Sequence, residues 1–281
     1  MSEDSAPLIH THSSSPEAAL VNAYLIETAD GVVAVDAMLT VSDARRLRQH
    51  IDSLGKPLLA VLLTHSHPDH YGGLADLVGS DQVPIYSVAG VNEVIRRDDE
   101  VKEQILRPMF GDEWAERRTF PNTVVSDGET VSFGELRLTV LDLGPSESPH
   151  DSAWILGQDE RVVFLGDQIV DHVHCYLADG FYREWLEHID CLRSRFADDA
   201  VFYIGHGGPA SPADWNWQVG YLKTAVKAVE EADWSDPQAA QAAAMEEINA
   251  YCPAEELRFL IELSLEPLAT KLGLLAPAAD D

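Results

Sequence analysis

The stretch VLLTHSHPDHYGG, residues 61–73, sets His65, His67, Asp69 and His70 within six positions directly after an aliphatic run. Side chains two apart on a strand leave the same face, so His65 and His67 can aim at one point where the strand stops. Pro68 then turns the chain and brings Asp69 and His70 round beside them. Neutral imidazoles and a carboxylate are the donors that Zn²⁺ or Fe²⁺ takes at about 2.0–2.2 Å. A packing role for four polar groups at one strand end is hard to find, because burying them unpaired costs several kcal/mol in total. The spacing therefore predicts a metal site.

Two other apolar runs end in donor residues: FLGDQ in Asp167, and YIGHGG in His206. Each alone reads as an ordinary turn or cap residue. Three strands that all stop at such residues read instead as one site on one rim of the sheets, where ligands collect.

The elements that must carry these residues follow from periodicity. Residues 21–37 give two β-rich runs about an Asp30-Gly31 turn. A helix follows, with Ser42 as N-cap and Gly55 as its stop. Residues 58–64 are apolar throughout and too short for a helix, as a strand buried on both faces should be. Residues 83–89 form the next strand, and residues 90–114 a charged helical excursion running up to Pro108. A second β-rich half begins near Thr123 and contains an Asp127-Gly128 turn. Ser211 and Pro212 read as the N-cap and first residue of a long helix, and the chain stays helical to Leu275. Two β-rich halves alternating with helices suggest sheets stacked on each other within one domain; periodicity alone also allows a doubly wound sheet. The expected divisions are a loose arm over residues 1–18, a metal-binding domain over 19–217, and C-terminal helices over 218–281 packed on that domain. His10 and His12, in the arm, read as two solvated histidines.

The chain has 281 residues, enough to bury a sizeable core, and a net charge of −29 that would repel nucleic acid and anionic membranes. Its apolar runs fall short of the roughly 18–20 residues of a membrane span. The acidic, polar N-terminus is unlike a signal peptide. Three widely spaced cysteines argue against a disulfide framework. These features point to a cytoplasmic protein acting on a small molecule.

THSHPDH, GDQ and GHGG, in that order, together with NAYLIETADGVVAVDA near the N-terminus, resemble the metallo-β-lactamase-fold hydrolase superfamily. The resemblance spans residues 21–217. It implies an α/β (α+β) fold: a four-layer αββα sandwich of two mixed β-sheets with helices on the outer faces. It also implies that His65 and His67 bind a first metal, that Asp69, His70 and His206 bind a second, and that Asp167 bridges the two. Asp36 would correspond to a residue that supports a ligand from behind. The implied cofactor is two zinc ions, with iron or manganese as alternatives.

One motif departs from the pattern. The family places a histidine after the strand that here ends VLDLG, but this chain continues PSESPHDSAWIL, and the family spacing falls on Ser148, a poor ligand. Glu147, one residue away, and His150, two residues on, are the alternative third ligands of the first site. His174 and Tyr176 are candidates for the substrate pocket wall, and plain loop residues are the competing reading. Met109, Phe110 and Trp114 on the helical excursion could line an apolar pocket under a lid, although ordinary surface packing is the plainer interpretation.

The resulting expectation is a metal-dependent hydrolase in which activated water attacks a small ester, lactone, thioester or amide, and Asp69 orients that water and moves a proton. The alternatives are an iron-dependent, persulfide-oxygenase-like redox enzyme on the same fold and a true β-lactamase.

Overall fold

The computed structural model describes residues 7–80 and 82–276. The first six residues of the expected arm and the last five of the chain lie outside these. Eleven strands make two sheets among the described residues.

The first sheet runs in chain order: β1 (Leu8–Ser13), β2 (Asn22–Glu27), β3 (Val32–Val35), β4 (Leu58–Leu62), β5 (Ile85–Val88) and β6 (Thr123–Val125). Its first three strands are antiparallel, and β3 to β6 are parallel. The second sheet consists of β7 (Thr130–Phe133), β8 (Leu136–Gly144), β9 (Asp151–Leu156), β10 (Val162–Gly166) and β11 (Val201–Ile204). Its order is β11-β10-β9-β8-β7, parallel only between β10 and β11. Both sheets are therefore mixed.

The helices are α1 (Val41–Ser53), α2 (Pro68–Tyr71), α3 (Leu74–Val78), α4 (Ala89–Phe110), α5 (Tyr182–Arg195), α6 (Trp215–Glu231), α7 (Pro237–Tyr251) and α8 (Arg258–Lys271). The alternation of side chains along the second sheet sorts its residues into two cores. Trp154, Leu156 and Phe164 face the first sheet and share a core with Leu25, Val33, Leu62 and α1. Ala153, Ile155, Val163 and Leu165 face the other way and pack beneath α5 to α8. That is an αββα sandwich.

Three details differ from the sequence expectation. Residues 8–13 of the expected arm form β1, paired with β2 from Leu8↔Glu27 to Ser13↔Asn22. There His10 meets the Glu27 carboxylate at 2.9 Å. Thr40, not Ser42, caps α1 by accepting from Asp43 N, while Ser42 Oγ donates to Glu113. The expected Asp127-Gly128 turn is present and joins the two sheets, since β6 pairs with β5. Helix α6 starts at Trp215, since the Asp214 carboxylate accepts from both Ser211 N and Ser211 Oγ and ties residues 211–214 into a preceding turn.

The two sheets are stitched together at one end. Ser152 N donates to Thr64 O at 2.7 Å, and Trp154 Nε1 to Leu63 O at 2.9 Å, joining the end of β4 to the start of β9. Asn22 N donates to Gly205 O at 2.7 Å and Tyr24 Oη to Ile204 O at 2.5 Å, joining β2 to the end of β11. The strand ends that carry the coordinating residues thus share one rim.

Candidate metal centre

At this rim two donor sets adjoin. His65, His67 and Glu147 form one; Asp69, His70, Asp167 and His206 form the other. All are buried except Asp69, whose side chain is 17% exposed. In the first set, Glu147 Oε2 lies 3.6 Å from His65 Nε2 and 2.8 Å from His67 Nδ1. In the second, His206 Nε2 lies 3.0 Å from Asp167 Oδ2 and 3.3 Å from Asp69 Oδ2, and His70 Nε2 lies 3.4 Å from Asp167 Oδ1. Asp167 also reaches the first set, 3.9 Å from His65 Nε2.

These separations suit a cation between the donors. Four tetrahedral ligands about 2.1 Å from an ion stand roughly 3.4 Å from one another. Four buried atoms of the cluster, His65 Nε2, His70 Nε2, Glu147 Oε2 and Asp167 Oδ1, have no hydrogen-bond partner among the described residues. Orphaned buried polar atoms are costly unless an ion or water meets them.

The other nitrogen of each imidazole is committed to protein. His65 Nδ1 donates to Thr64 Oγ1 (3.0 Å), which donates onward to Asp36 Oδ2 (2.8 Å). His70 Nδ1 donates to the same Asp36 oxygen (2.8 Å), and His206 Nδ1 to Ala19 O (2.8 Å). His67 Nε2 donates to Asp179 Oδ2 (2.8 Å). Each bond fixes a tautomer and turns the remaining lone pair toward the site, as supporting groups do for metal-bound histidines. Asp36, read from the sequence as a supporting residue, therefore braces two imidazoles. It does so from a left-handed backbone conformation, φ +62°. Asp179 was not singled out from the sequence. It lies in a loop with no periodicity or motif to mark it.

Glycine at position 205 is required by close approach: a Cβ there would stand 1.8 Å from Asp167 Oδ1. At the disputed position the structure brings Glu147, and not His150, to His65 and His67. The His150 ring packs on Gly90, where a Cβ would fall 2.0 Å from it, and its Nε2 meets Asp142 at 2.7 Å. Ser148 is occupied with Asp151 and the His150 carbonyl.

The electrostatics are those of a site holding protons where cations fit. Burial alone would lower the pKa of His67, but the Glu147 and Asp179 carboxylates hold it well above its ordinary value. Burial opposes ionised His206 too, yet Asp167 and Asp69 push it up to about 10. Burial pushes Glu147 up to about 7 against the pull of His67. Asp167 stays well below the carboxylate range because His206 and His70 outweigh its burial.

His67, Asp69, Glu147, Asp167 and His206 form the floor of a cleft. Tyr176 lines it, its ring edge-on to His67 at 5.3 Å. His174 also lines it, but both its nitrogens are engaged, with Tyr221 Oη (3.0 Å) and Ala254 O (2.9 Å). Met109 and Phe110 line the cleft as well, whereas Trp114 is fully buried and donates to Glu103. No helix among the described residues is long and apolar enough to cross a membrane.

A double sheet with two donor sets at one rim defines a metal-centre protein of the αββα class. The chain belongs to the Metallo-beta-lactamase superfamily, whose profile matches residues 17–206. It is similar to a hydroxyacylglutathione hydrolase of Rhodopseudomonas palustris, 26% identical over 67% of this chain and 63% of that protein. It is also similar to a linear primary-alkylsulfatase of a Pseudomonas species, 25% identical over 66% of this chain and 41% of that one. The chain thus spans less than two thirds of either relative. A solved metallo-beta-lactamase family protein of Thermus thermophilus superposes with a TM-score of 0.68 over 94% of each chain, at 22% identity.

Proposed function

We propose that the protein is a metal-dependent hydrolase acting on a small ester, lactone, thioester or amide. The observation that carries this reading is the pair of donor sets meeting at Asp167 on the floor of a cleft. His65, His67 and Glu147 would hold one cation, Asp69, His70 and His206 a second, with Asp167 facing both. Bound cations would supply an activated water and polarise the electrophile. Asp69, the least buried donor, would orient that water and carry its proton to the leaving group. The four imidazoles are held from behind through their other nitrogens, which fixes their orientation. The two relatives are named for a hydrolase and a sulfatase activity, which supports bond cleavage of this kind.

Each set pairs two imidazoles with carboxylate, donors that zinc takes. The carboxylate of Glu147 makes the first set harder, which favours iron or manganese there. Both the surface charge, −29, and the cleft speak for a small-molecule substrate rather than nucleic acid. The three free cysteines fit the reducing cytoplasm. The test is reconstitution. Chelator-treated protein should regain esterase or thioesterase activity only with added metal, and the His65→Ala, Asp167→Ala double variant should stay inactive. Undiminished activity in that variant would overturn the proposal.

A further inference from the structure

Helix α4 is amphipathic, but only half its apolar face is covered. Val91, Val94 and Ile95, in its first turns, are buried on the sandwich. Met109 lies eighteen residues after Val91, about five turns at 3.6 residues per turn, and so on the same face. Yet Met109 is 59% exposed and Ile105 51%. The uncovered half overhangs the metal-centre floor. Facing it from the other wall are Phe259 and Leu263 of α8, 42% and 58% exposed and one turn apart. Helix α8 buries its opposite side, through Ile261, Leu265 and Leu268, on the second core. It therefore presents a second apolar stripe that the sandwich does not need.

Four exposed apolar side chains around one opening are more than scattered surface residues, and such a patch marks a binding surface. What it binds is indicated by where it leads. The stripes run down to Asp69, Glu147 and His206, so the occupant also reaches the donor sets. Beyond those donors only Glu17 and Lys102 bring a charged group to the lining. The cavity volume is about 200 Å³, below the roughly 300–1,000 Å³ of drug-sized pockets, which suits a slender chain better than fused rings. The α8 wall lies outside the region matched by the family profile, residues 17–206. Its approach is pinned to the site's surroundings. His174 holds Ala254 O just before the helix, and Lys271 at its end donates to Asp179 O, on the residue that orients His67.

We propose that the cleft between α4 and α8 is a track for an unbranched apolar acyl chain, making the substrates esters or thioesters of linear alkanoic acids. This rests on the hydrolase reading for the reaction, but not for binding. In that reaction the oxygen of water bonds to the acyl carbon and the bond from that carbon to the leaving alcohol or thiol breaks. One proton of the water ends on the leaving group and the other is lost from the carboxylic acid formed.

The experiment uses the full chain loaded with zinc and a series of 4-nitrophenyl esters from acetate through butyrate, hexanoate and octanoate to decanoate. kcat/KM should rise about fourfold per methylene, the increment expected when each is withdrawn from water. Calorimetric titration with decanoate and with propionate gives a readout free of turnover, and decanoate should bind the tighter by at least tenfold. Leu263→Asp and Met109→Asp, both at exposed side chains, should flatten the ester series and weaken decanoate. Val124→Asp, exposed on β6 away from the cleft, should leave both unchanged. Decanoate binding without turnover of any ester would uphold the track and count against the hydrolase reading. Turnover at equal kcat/KM across the series, with decanoate no tighter than propionate, would overturn the track alone. So would a dimer that Leu263→Asp dissociates, since the stripes would then cover each other between two copies.

Discussion

Glu147 Oε2 stands 2.8 Å from Nδ1 of His67, whose other nitrogen already donates to Asp179. Two lone pairs at that distance repel unless a proton or a cation lies between them. Burial opposes ionisation of His67, but the Glu147 and Asp179 carboxylates hold it well above its ordinary pKa. On the proposed reading, the same geometry would make Glu147, rather than a histidine, the third ligand of the first metal site.

Removing that carboxylate should therefore remove one metal. Glu147→Ala is expected to bind one zinc per chain where the unaltered protein binds two, and Glu147→His to restore the second. His150→Ala should bind two. Metal content by mass spectrometry after gel filtration checks all three, and loss of zinc in His150→Ala would show that the wrong residue has been assigned.

Metal uptake should expel protons. The neighbouring carboxylates raise the pKa values of His67, His70 and His206 in the metal-free site, and these imidazoles must be neutral to ligate. Calorimetric zinc titrations in two buffers of different ionisation enthalpy should show a net release of protons, and the apparent affinity should weaken as the pH is lowered. In the metal-free protein the His206 proton also stabilises the fold. That contribution is complete below the ordinary value of 6.5 and is lost as the pH rises through about 10. Identical heats in both buffers would contradict the assignment.

Asp179 accepts from His67 Nε2 and would orient that imidazole without itself being a ligand. Asp179→Ala should lower zinc affinity about 10- to 100-fold, as loss of such supporting groups does, while circular dichroism stays unchanged. Asp179→Glu should recover part of the loss. An unaltered affinity in competition with a chromophoric chelator would mean that the hydrogen bond is incidental.

Asp36 accepts from Thr64 N, Thr64 Oγ1 and His70 Nδ1 while 2% exposed. Asp36→Ala leaves those donors buried and unmet, and urea denaturation of the metal-free protein should show a loss of about 3–5 kcal/mol. Asp36→Asn, which keeps an acceptor for Thr64 N, should lose less. Equal stability of all three proteins would remove Asp36 from the account.

The legible parts of the site were those attached to regular strands. His65 and His67 follow from alternation, and Asp167 and His206 from apolar runs that stop at donor residues. Glu147 and His150 could not be separated, because residues 145–150 are a loop without periodicity. What decides between them is tertiary: the bridge between His65 and Asp151, and the seat of the His150 ring on Gly90. Strand β1 escaped notice for a related reason. Its LIHTHS alternates among polar groups at a sheet edge and carries no apolar signal. Asp179 and the uncovered stripes of α4 and α8 become meaningful only once distant segments are placed together.

The most direct test is anomalous diffraction from crystals of the zinc-loaded protein, collected on either side of the zinc edge. Two peaks about 3.5–4 Å apart are expected, one among His65, His67 and Glu147, the other among Asp69, His70 and His206, with Asp167 between. A single peak, or one at His150 with Glu147 turned away, would contradict the binuclear centre.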